Sequence, residues 1–446
     1  MAVRRHEDAT SPPPRQDWFP RRVEGGSYSG GMTRRFSPRR TARRAAAVTL
    51  AAQAATVAGL LVFDSRRKRD KPDVRLPRVE SHDLAVQGGD LRIYTTGEPL
   101  FEDMLADIEA AQTRIFFESY IWKGDDTGVA FRDALVRAHE RGVEVFVAFD
   151  EFANLVVPRA FFRSLPDGIH VKRHPLIGRF PWLTPRQVGR NHRKLLIVDE
   201  GAPTAAAYLG GYNIGSLYAD RWRDTHARVS GEMVVELANA FVDYWNNAPG
   251  ATTPHLHQPA ARTWSTTMRV HRNSPVDSVY PIRNMYLEAI DRSEHRVYLT
   301  AAYFIPDGVL TRALVEAVHR GVDVQIIVPH FSNHIVADWL SRASYAELLK
   351  GGVRILRYEN AMVHAKTATI DGRWTTLGTA NLDRLSLAGN YEINLEILDA
   401  DVARQMEEVF AADAENCTEL TLEEWTGRPM IARVTEGLLA PYRPLL

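Results

Sequence analysis

Helical and strand-like hydrophobic spacing alternates along most of the chain. Apolar residues at helical spacing from Phe101 to Ala111 predict a helix, and the stretch 113–121 directly after it predicts a strand. A second helix over 128–141 leads through Gly142 into a predicted strand over 143–149. Strands that alternate with helices are typical of an α/β fold with a mainly parallel sheet covered by helices.

The same order of elements returns in the second half of the chain. The predicted elements there are helices near 284–292 and 308–320 and strands at 296–304 and 322–328. The sequences Arg141-Gly142-Val143-Glu144-Val145 and Arg320-Gly321-Val322-Asp323-Val324 are near duplicates, and short strands at 169–172 and 353–356 also correspond. The chain therefore contains an internal duplication, whose unit is longer than any solenoid repeat.

Each half carries one copy of the pattern His-x-Lys-x-x-x-x-Asp. The copies consist of His192, Lys194 and Asp199 in the first half and of His364, Lys366 and Asp371 in the second. Both copies end in an apolar, β-branched run, which predicts a buried strand. Residues two apart in a strand point to the same face, so the histidine and the lysine of each copy are expected to project into one space.

The two copies also agree on their C-terminal side. Asn213 comes after Asp199, Asn381 comes after Asp371, and a carboxylate lies eleven residues past each asparagine, Asp224 in the first half and Glu392 in the second. The segment 201–207 makes the first turn longer than its counterpart. One His-x-Lys pair occurs by chance on solvated strands, whereas two copies with shared offsets are a strong signal.

These paired motifs resemble the HKD motifs of the phospholipase D superfamily. Within that superfamily, the sequence most resembles the bacterial cardiolipin synthases. The resemblance covers roughly residues 95 to 400, and it includes Trp222-Arg223-Asp224-Thr225-His226 and Gly378-Thr379-Ala380-Asn381-Leu382-Asp383-Arg384. It implies two αβα sandwich lobes related by a pseudo-twofold axis, with both motifs meeting at the interface between the lobes.

The resemblance also implies a covalent phosphohistidine intermediate. By the family pattern His192 is the nucleophile and His364 the general acid and then base, but the symmetric sequence leaves the reverse order open. The resemblance implies that the phosphate is held by Lys194, Lys366, Asn213 and Asn381. Asp224 and Glu392 match the positions that orient a histidine across the interface. Asp199 and Asp371 are expected to organise the turn after each strand. Glu118 has no acidic counterpart in the second half; it either helps to place an acceptor hydroxyl or is paired at the lobe interface.

The motifs can transfer a phosphodiester without a cofactor or metal. One neutral imidazole can attack phosphorus, a protonated imidazole opposite can protonate the departing alkoxide, and two ammonium groups can stabilise the charge. An ammonium group two residues from each histidine disfavours a divalent cation there. Cys417 is the only cysteine, so we predict no internal disulfide and an inert side chain.

The overall charge balance hides an asymmetry along the chain. Residues 1–70 hold 15 Arg and Lys against 6 Asp and Glu, and the whole chain holds 55 of each kind, which leaves 40 against 49 for residues 71–446. An acidic catalytic region is a poor match for a nucleic-acid binder, which normally carries a basic stripe. The basic N-terminal part suits either an anionic membrane surface or a solvated disordered arm.

Composition also suggests where the domains lie. We predict a disordered basic tail over 1–44, a candidate transmembrane or interfacial helix over 45–63, linkers over 64–94 and 256–275, and two lobes over 95–255 and 276–446. Alanine supplies much of 45–63, so a soluble helix is a third interpretation. Apolar and aromatic residues interleave with arginines over 175–190, which suits either contact with a lipid or an ordinary buried loop.

These observations predict a phosphatidyltransferase of the bacterial cell membrane. With phosphatidylglycerol as donor and acceptor, the products are cardiolipin and glycerol. The alternative is a phospholipase D-type hydrolase, in which water accepts the phosphatidyl group and phosphatidic acid is released. A nuclease of the same superfamily is disfavoured by the acidic balance of residues 71–446. A catalytically dead scaffold would be expected to lack a motif histidine or lysine, and both copies are complete.

Overall fold

The computed structural model describes residues 38–67, 76–77, 79–176, 189–250, 254–258, 267–359, 361–439 and 441. The predicted tail therefore lies outside the described residues over 1–37, and so does most of the predicted lipid-contacting loop, over 177–188.

The helices and strands succeed one another in the order that hydrophobic spacing predicts. The helices are α1 Pro38–Arg67, α2 Gly97–Ala110, α3 Asp126–Glu140, α4 Arg159–Arg163, α5 Ser216–Asp220, α6 Met233–Asn247, α7 Pro281–Asp291, α8 Gly308–His319, α9 Ile335–Lys350, α10 Arg384–Ala388, α11 Ala400–Ala414, α12 Leu422–Gly427 and α13 Met430–Leu439. The strands are β1 Asp83–Val86, β2 Gly89–Tyr94, β3 Arg114–Ser119, β4 Glu144–Asp150, β5 His170–His174, β6 Leu195–Val198, β7 Ala206–Gly210, β8 Trp222–Arg223, β9 His226–Ser230, β10 Met268–Asn273, β11 Arg296–Ala301, β12 Asp323–Pro329, β13 Arg354–Tyr358, β14 Met362–Val363, β15 Lys366–Ile370, β16 Trp374–Gly378, β17 Glu392–Leu398 and β18 Cys417–Leu420.

Helix α1 contains the alanine-rich run predicted over 45–63. It extends beyond this run at both ends, so the end of the predicted tail, from residue 38 to 44, is helical. Among the described helices, none is both long enough and apolar enough to cross a bilayer. The membrane-spanning interpretation of 45–63 is therefore not confirmed.

Two eight-stranded sheets form the centres of the two lobes. The first has the strand order β1-β2-β9-β7-β6-β3-β4-β5, and the second has the order β10-β17-β16-β15-β11-β12-β13-β18. From β2 to β5 in the first sheet and from β10 to β13 in the second, the orders correspond strand for strand. The internal duplication of the sequence is thus a duplication of one sheet topology.

The expectation of mainly parallel sheets is wrong. Only β3, β4 and β5 pair in parallel in the first sheet, and only β11, β12 and β13 in the second. The other neighbours in both sheets are antiparallel. They include one hairpin directly after each motif histidine, β6 into β7 and β15 into β16. Each sheet therefore consists of three parallel strands and a larger antiparallel part that contains the hairpin after the motif histidine.

The predicted linkers contain strands that belong to the sheets. The hairpin of β1 and β2 lies within 64–94 and pairs with β9, while β10 lies within 256–275 and pairs with β17. The sequence of β2 alternates apolar and polar residues, and its apolar residues Leu91 and Ile93 are buried. This alternation predicts a strand, but the linker was assigned from composition alone.

One hydrophobic cluster is shared by both lobes. Side chains of the first lobe from β9 and α6, such as Val229 and Phe241, belong to the same buried cluster as Leu395 of β17 and Met406 of α11 in the second. A separate cluster under α2 and α3 belongs mostly to the first lobe, and another under α7 and α8 to the second. Because the lobes share a core, they are fixed against each other and can form one site between them.

Asp199 and Asp371, the last residues of the two motifs, hold the turn after each strand. Both have a left-handed backbone, with φ of 50° and 53°. The Asp199 carboxylate accepts hydrogen bonds from the backbone N–H groups of Gln112, Thr113 and Arg114 at 2.7–3.0 Å. Asp371 does the same for residues 294–296 at 2.8 Å. Burial acts to raise the pKa of each carboxyl, but these donors outweigh it and hold the pKa below its ordinary value.

We expect Asp199→Asn to lower the free energy of unfolding by about 1–3 kcal/mol at pH 7, since the amide keeps one acceptor oxygen and no charge. Asparagine tolerates the left-handed backbone, so strain does not add to the effect. A carboxylate with a depressed folded-state pKa stabilises the fold above its unfolded pKa of about 4, and this stabilisation is lost as the pH falls through the folded value.

Urea unfolding at pH 7 and at pH 3 measures this effect. The difference between the two proteins should shrink at the lower pH. Asp167→Asn is the matched control, because Asp167 is exposed and makes no hydrogen bond or ion pair within the described part of the chain. Equal midpoints for wild type and Asp199→Asn at pH 7 would contradict the role of Asp199 in the turn.

Candidate active site

The two motif histidines lie just before corresponding strands of the two lobes. His192 is three residues ahead of β6, which runs antiparallel to β3, and His364 is two residues ahead of β15, which runs antiparallel to β11. Each histidine therefore lies near the carboxyl end of the parallel strands of its lobe. Side chains at that edge of a sheet have no further strand residues above them and can face an open site.

Backbone pairing between the lobes fixes where each histidine lies. The N–H of His192 donates to the carbonyl of Tyr391 at 3.1 Å, next to Glu392. In the equivalent place, β14 pairs in parallel with β8, and the N–H of His364 donates to the carbonyl of Arg223 at 2.6 Å, next to Asp224. The segment before each motif thus runs beside the segment before the other lobe's carboxylate.

As a result, each imidazole is hydrogen-bonded to a carboxylate of the opposite lobe. Nδ1 of His192 lies 3.0 Å from both carboxylate oxygens of Glu392, and Nδ1 of His364 lies 2.6 Å from Oδ2 of Asp224. All four side chains are buried. A carboxylate can only accept, so Nδ1 carries the proton and Nε2 of a neutral ring keeps a free lone pair.

Burial favours the neutral form of both imidazoles. Burial lowers the pKa of His192, although the carboxylate of Glu392 opposes it. Burial lowers the pKa of His364 well below its usual value, and Lys366, Lys194 and His192 act in the same direction. The residues of one motif thus act electrostatically on those of the other, as expected for groups that share one space. A neutral imidazole is the form that can act as a nucleophile or base.

The two motif lysines are buried beside the histidines. The ammonium group of Lys194 donates to the carbonyl of His192 at 2.7 Å, and that of Lys366 donates to the carbonyl of His364. Burial lowers the pKa of Lys194 to about 7 and that of Lys366 to about 8, with Glu392 and Asp224 opposing the shift. A bound anion would raise the pKa of both lysines and so favour their charged ammonium forms. The two side chains therefore suit the binding of a phosphate group.

The two orienting carboxylates have different surroundings. The hydroxyl of Thr379 donates to Glu392 at 2.6 Å. Gly211 lies against Asp224, where a Cβ on residue 211 would come within 2.0 Å of the carboxylate and leave no room for a side chain. Asp224 instead accepts the N–H of Thr225 at 2.7 Å. Burial raises the pKa of Asp224 to about 6, so this carboxylate is close to protonation near neutral pH.

The two asparagines beyond the motifs are buried, each in its own lobe. Oδ1 of Asn213 accepts the N–H of Ile121 at 3.2 Å, and Nδ2 of Asn381 lies 3.5 Å from the hydroxyl of Ser386. Oδ1 of Asn381 has no hydrogen-bond partner among the described residues. The phosphate-holding role that the resemblance gives to both asparagines remains a prediction.

Glu118 lies in a buried polar cluster beneath the first motif. Its carboxylate accepts Nδ2 of Asn191 at 2.8 Å and lies 3.0 Å from Nη2 of Arg193. Burial raises the pKa of Glu118, against the opposing charge of Arg193. These contacts agree with the pairing alternative rather than with contact to an acceptor hydroxyl. The partners belong to the first motif and not to the other lobe.

Several residues at the site were given no role from the sequence. Tyr120 packs edge-on against His192, with ring centroids 4.7 Å apart, and Trp222 packs against His364 at 4.8 Å. Behind Asp224, Arg223 and Asp413 form a buried ion pair between the lobes, with contacts of 2.7 and 2.8 Å. Trp222 and Arg223 belong to the conspicuous sequence 222–226, but only the folded chain shows which side chains they contact.

Metal-ligating side chains are not clustered in the part of the chain that the structure describes. No group of three or more His, Cys, Asp or Glu residues there is arranged to hold an ion.

Cys417 is half-buried and donates to the carbonyl of Asp413 at 3.2 Å, and burial raises the pKa of its thiol to about 12.

Comparison with known sequences points to one family. A family model described as "Cardiolipin synthase, PLD-like domain" matches residues 286–414. The chain is 30% identical over 402 residues to the major cardiolipin synthase ClsA of Bacillus subtilis, covering 86% of this chain and 81% of that protein. It is also 30% identical over 370 residues to a cardiolipin synthase of Staphylococcus aureus, covering 80% of this chain and 74% of that protein.

Comparison with solved structures shows the same fold. A phosphatidylserine synthase of Haemophilus influenzae superposes with a TM-score of 0.60 over 86% of this chain and 98% of that one, at 15% sequence identity. At that identity the likeness concerns the fold alone. The predicted arrangement of two αβα lobes is confirmed.

Proposed function

The chain belongs to the cardiolipin synthase family of phospholipase D-like proteins, and on that premise we propose that it joins two molecules of phosphatidylglycerol into cardiolipin and glycerol. The observation that carries the proposal is the pair of buried imidazoles, each hydrogen-bonded at Nδ1 to a carboxylate of the opposite lobe. Two such rings supply the nucleophile and the acid–base group of a double displacement at phosphorus.

In the first step, Nε2 of His192 attacks the phosphorus of one phosphatidylglycerol. A bond between nitrogen and phosphorus forms, and the bond from phosphorus to the headgroup oxygen breaks. Nε2 of His364, protonated in the complex with the anionic substrate, gives its proton to that oxygen, and glycerol leaves. Glu392 accepts a hydrogen bond from the Nδ1–H of His192, and its negative charge stabilises the positive ring that forms.

In the second step, a hydroxyl of another phosphatidylglycerol takes the place of the glycerol. Nε2 of His364, now neutral, takes the proton from this hydroxyl, whose oxygen attacks phosphorus. The bond to His192 breaks, cardiolipin forms, and His364 ends protonated as it began. Lys194 and Lys366 stabilise the charge on the non-bridging oxygens in both steps, since ammonium groups in a water-poor site act strongly on such oxygens.

Because phosphatidylglycerol resides in lipid, we infer that the protein works at the bacterial cell membrane. The first motif directly follows the stretch 175–190, whose interleaved arginines and apolar residues suit either contact with lipid or an ordinary buried loop. Nucleic acid is not proposed as a substrate, since the catalytic region carries more acidic than basic residues.

Incubation of the purified protein with vesicles of phosphatidylglycerol, and then chromatography of the lipids, tests the proposal. We expect cardiolipin and an equal amount of glycerol. Phosphatidic acid in place of cardiolipin would show that water is the acceptor and would favour the hydrolase. No lipid product, together with cleavage of single-stranded DNA, would reject both lipid activities.

A further inference from the structure

Three large apolar side chains stand out from the surface in the turn after β4. Phe152, Leu155 and Val156 are 54%, 61% and 78% exposed, and Leu176, after β5, is 40% exposed. Single exposed apolar residues are ordinary, but four in adjoining segments form a patch of the kind that marks a contact surface. We call these four residues the apolar rim.

Hydrogen bonds to two buried polar side chains hold the backbone of this turn. Oδ1 of the buried Asp150 accepts the N–H groups of Phe152 and Ala153 at 2.8 and 3.2 Å. The side chain of Asn154, also buried, accepts the N–H of Trp122 at 2.8 Å and donates to the carbonyls of Tyr120 and Asp150 at 2.9 and 2.8 Å. Two buried polar side chains thus fix a turn whose apolar residues point into solvent.

The same polar side chains connect the turn to the catalytic histidine. Oδ2 of Asp150 accepts the N–H of Asn191, the residue before His192, at 3.0 Å. The guanidinium of Arg190 lies 5.7 Å from the ring centroid of Phe152 and donates to the carbonyl of Leu176 at 3.1 Å. The apolar rim therefore lies beside the segment that carries His192.

Cationic side chains accompany the apolar rim. Arg159 and Arg163 of α4 come directly after the turn, are exposed and make no ion pair with any described residue. Apolar side chains flanked by cations suit the boundary between acyl chains and anionic headgroups.

We propose that the apolar rim inserts into the surface of an anionic phospholipid layer and holds the segment that carries His192 against it. This inference rests on the proposed function, which requires a two-chain phospholipid whose phosphate must reach His192 while its chains stay in an apolar environment. Insertion beside His192 lets a headgroup enter the site without the whole lipid leaving the layer.

The test compares Phe152→Ser/Leu155→Ser/Val156→Ser with a matched control, Met430→Ser/Ile431→Ser/Val434→Ser. The control residues lie on α13 and are 74%, 77% and 55% exposed, so the same number of exposed apolar side chains is removed elsewhere. Binding to vesicles containing phosphatidylglycerol is measured by sedimentation. Turnover is measured on those vesicles and on short-chain phosphatidylglycerol below its critical micelle concentration.

For the rim variant we expect vesicle binding and vesicle turnover to fall by on the order of tenfold or more. Turnover of the short-chain lipid should stay within about twofold of wild type, and the control should keep both binding and turnover. Vesicle binding unchanged in the rim variant, or lost equally in the control, overturns the proposal. So does equal loss on short-chain and vesicle substrates, which would mean damage to the site.

Other occupants of the apolar rim have their own signatures. A fall in oligomeric state by analytical ultracentrifugation, with vesicle binding unchanged, would assign the patch to a second copy of the chain and overturn the lipid proposal. If the wild type makes no lipid product from either substrate, the proposed function fails. The vesicle-binding comparison still tests the rim in that case, so the two failures are distinguishable.

Discussion

Replacing either His192 or His364 by alanine is expected to lower cardiolipin formation by on the order of ten-thousandfold or more, to the limit of detection. His192 is proposed to form the bond to phosphorus, and His364 to move the proton in both steps. Since both act in one sequence of steps, the double variant should be no slower than the slower single variant. Product chromatography from phosphatidylglycerol vesicles measures all three proteins.

Controls separate loss of chemistry from loss of fold. Each alanine variant should keep the thermal midpoint and the vesicle binding of the wild type. Excess chelator should leave wild-type turnover unchanged, since Lys194 and Lys366 supply the positive charge in this mechanism. Turnover by His192→Ala within tenfold of wild type would contradict its assignment as nucleophile.

A phosphodiester with a p-nitrophenolate leaving group tells the two histidines apart. This leaving group departs without a proton, so His364→Ala should still release p-nitrophenol in a burst, while His192→Ala should release none. The sequence left the reverse assignment open. A burst from His192→Ala and none from His364→Ala would establish the reverse order of roles.

The second large effect concerns Asp224, which orients His364 through a 2.6 Å hydrogen bond to Nδ1. Asp224→Asn is expected to lower kcat by about a hundredfold to ten-thousandfold, because an amide N–H favours the wrong tautomer and places the proton on Nε2. Glu392→Gln should have a comparable effect through His192, whose Nδ1 lies 3.0 Å from Glu392.

The pH dependence of wild-type kcat/KM should report the same groups. Burial raises the pKa of Asp224 to about 6, so kcat/KM should fall as the pH drops through about 6, where the protonated carboxyl no longer accepts from His364. Burial lowers the pKa of Lys194 to about 7 and of Lys366 to about 8, so kcat/KM should also fall as the pH rises through this range and the ammonium groups lose their charge. In Asp224→Asn, the acidic limb near pH 6 should be absent.

Stability should not change in parallel with activity in Asp224→Asn. A carboxyl whose folded-state pKa lies above its unfolded value costs stability once the pH exceeds both values, because its charged form is disfavoured by burial. An uncharged amide removes that cost, so the free energy of unfolding at pH 8 should not fall. A variant that loses activity only together with stability would contradict a positioning role for Asp224.

Much of the fold could be predicted from local sequence patterns. Helical spacing from Phe101 to Ala111 corresponds to α2, and the near-duplicate segments after Arg141 and Arg320 correspond to β4 and β12. Local spacing could not give strand direction, since a strand has the same alternation whichever way its neighbour runs. The sequence showed a turn after each motif, but the pairing directions around β6–β7 and β15–β16 did not follow from it, and the sheets were expected to be mainly parallel.

Domain boundaries were less predictable than elements. The hairpin of β1 and β2 was assigned to a linker because its surroundings are polar. An edge hairpin gains most of its stability from pairing with β9, which lies more than a hundred residues away, and composition near the hairpin does not report such a partner.

The sequence by itself determined the chemistry of this protein: two imidazoles, two ammonium groups and their spacing are written in duplicate, and short-range periodicity places each copy before a buried strand. The resemblance implied that Asp224 and Glu392 each orient a histidine across the interface, and the tertiary structure decided the individual contacts. That Asp224 is hydrogen-bonded to His364, that Glu392 is hydrogen-bonded to His192, and that Glu118 is ion-paired with Arg193 depends on contacts between residues up to two hundred positions apart. Local patterns encode which face a residue takes, whereas contacts between distant segments arise only when whole sheets pack on a common core.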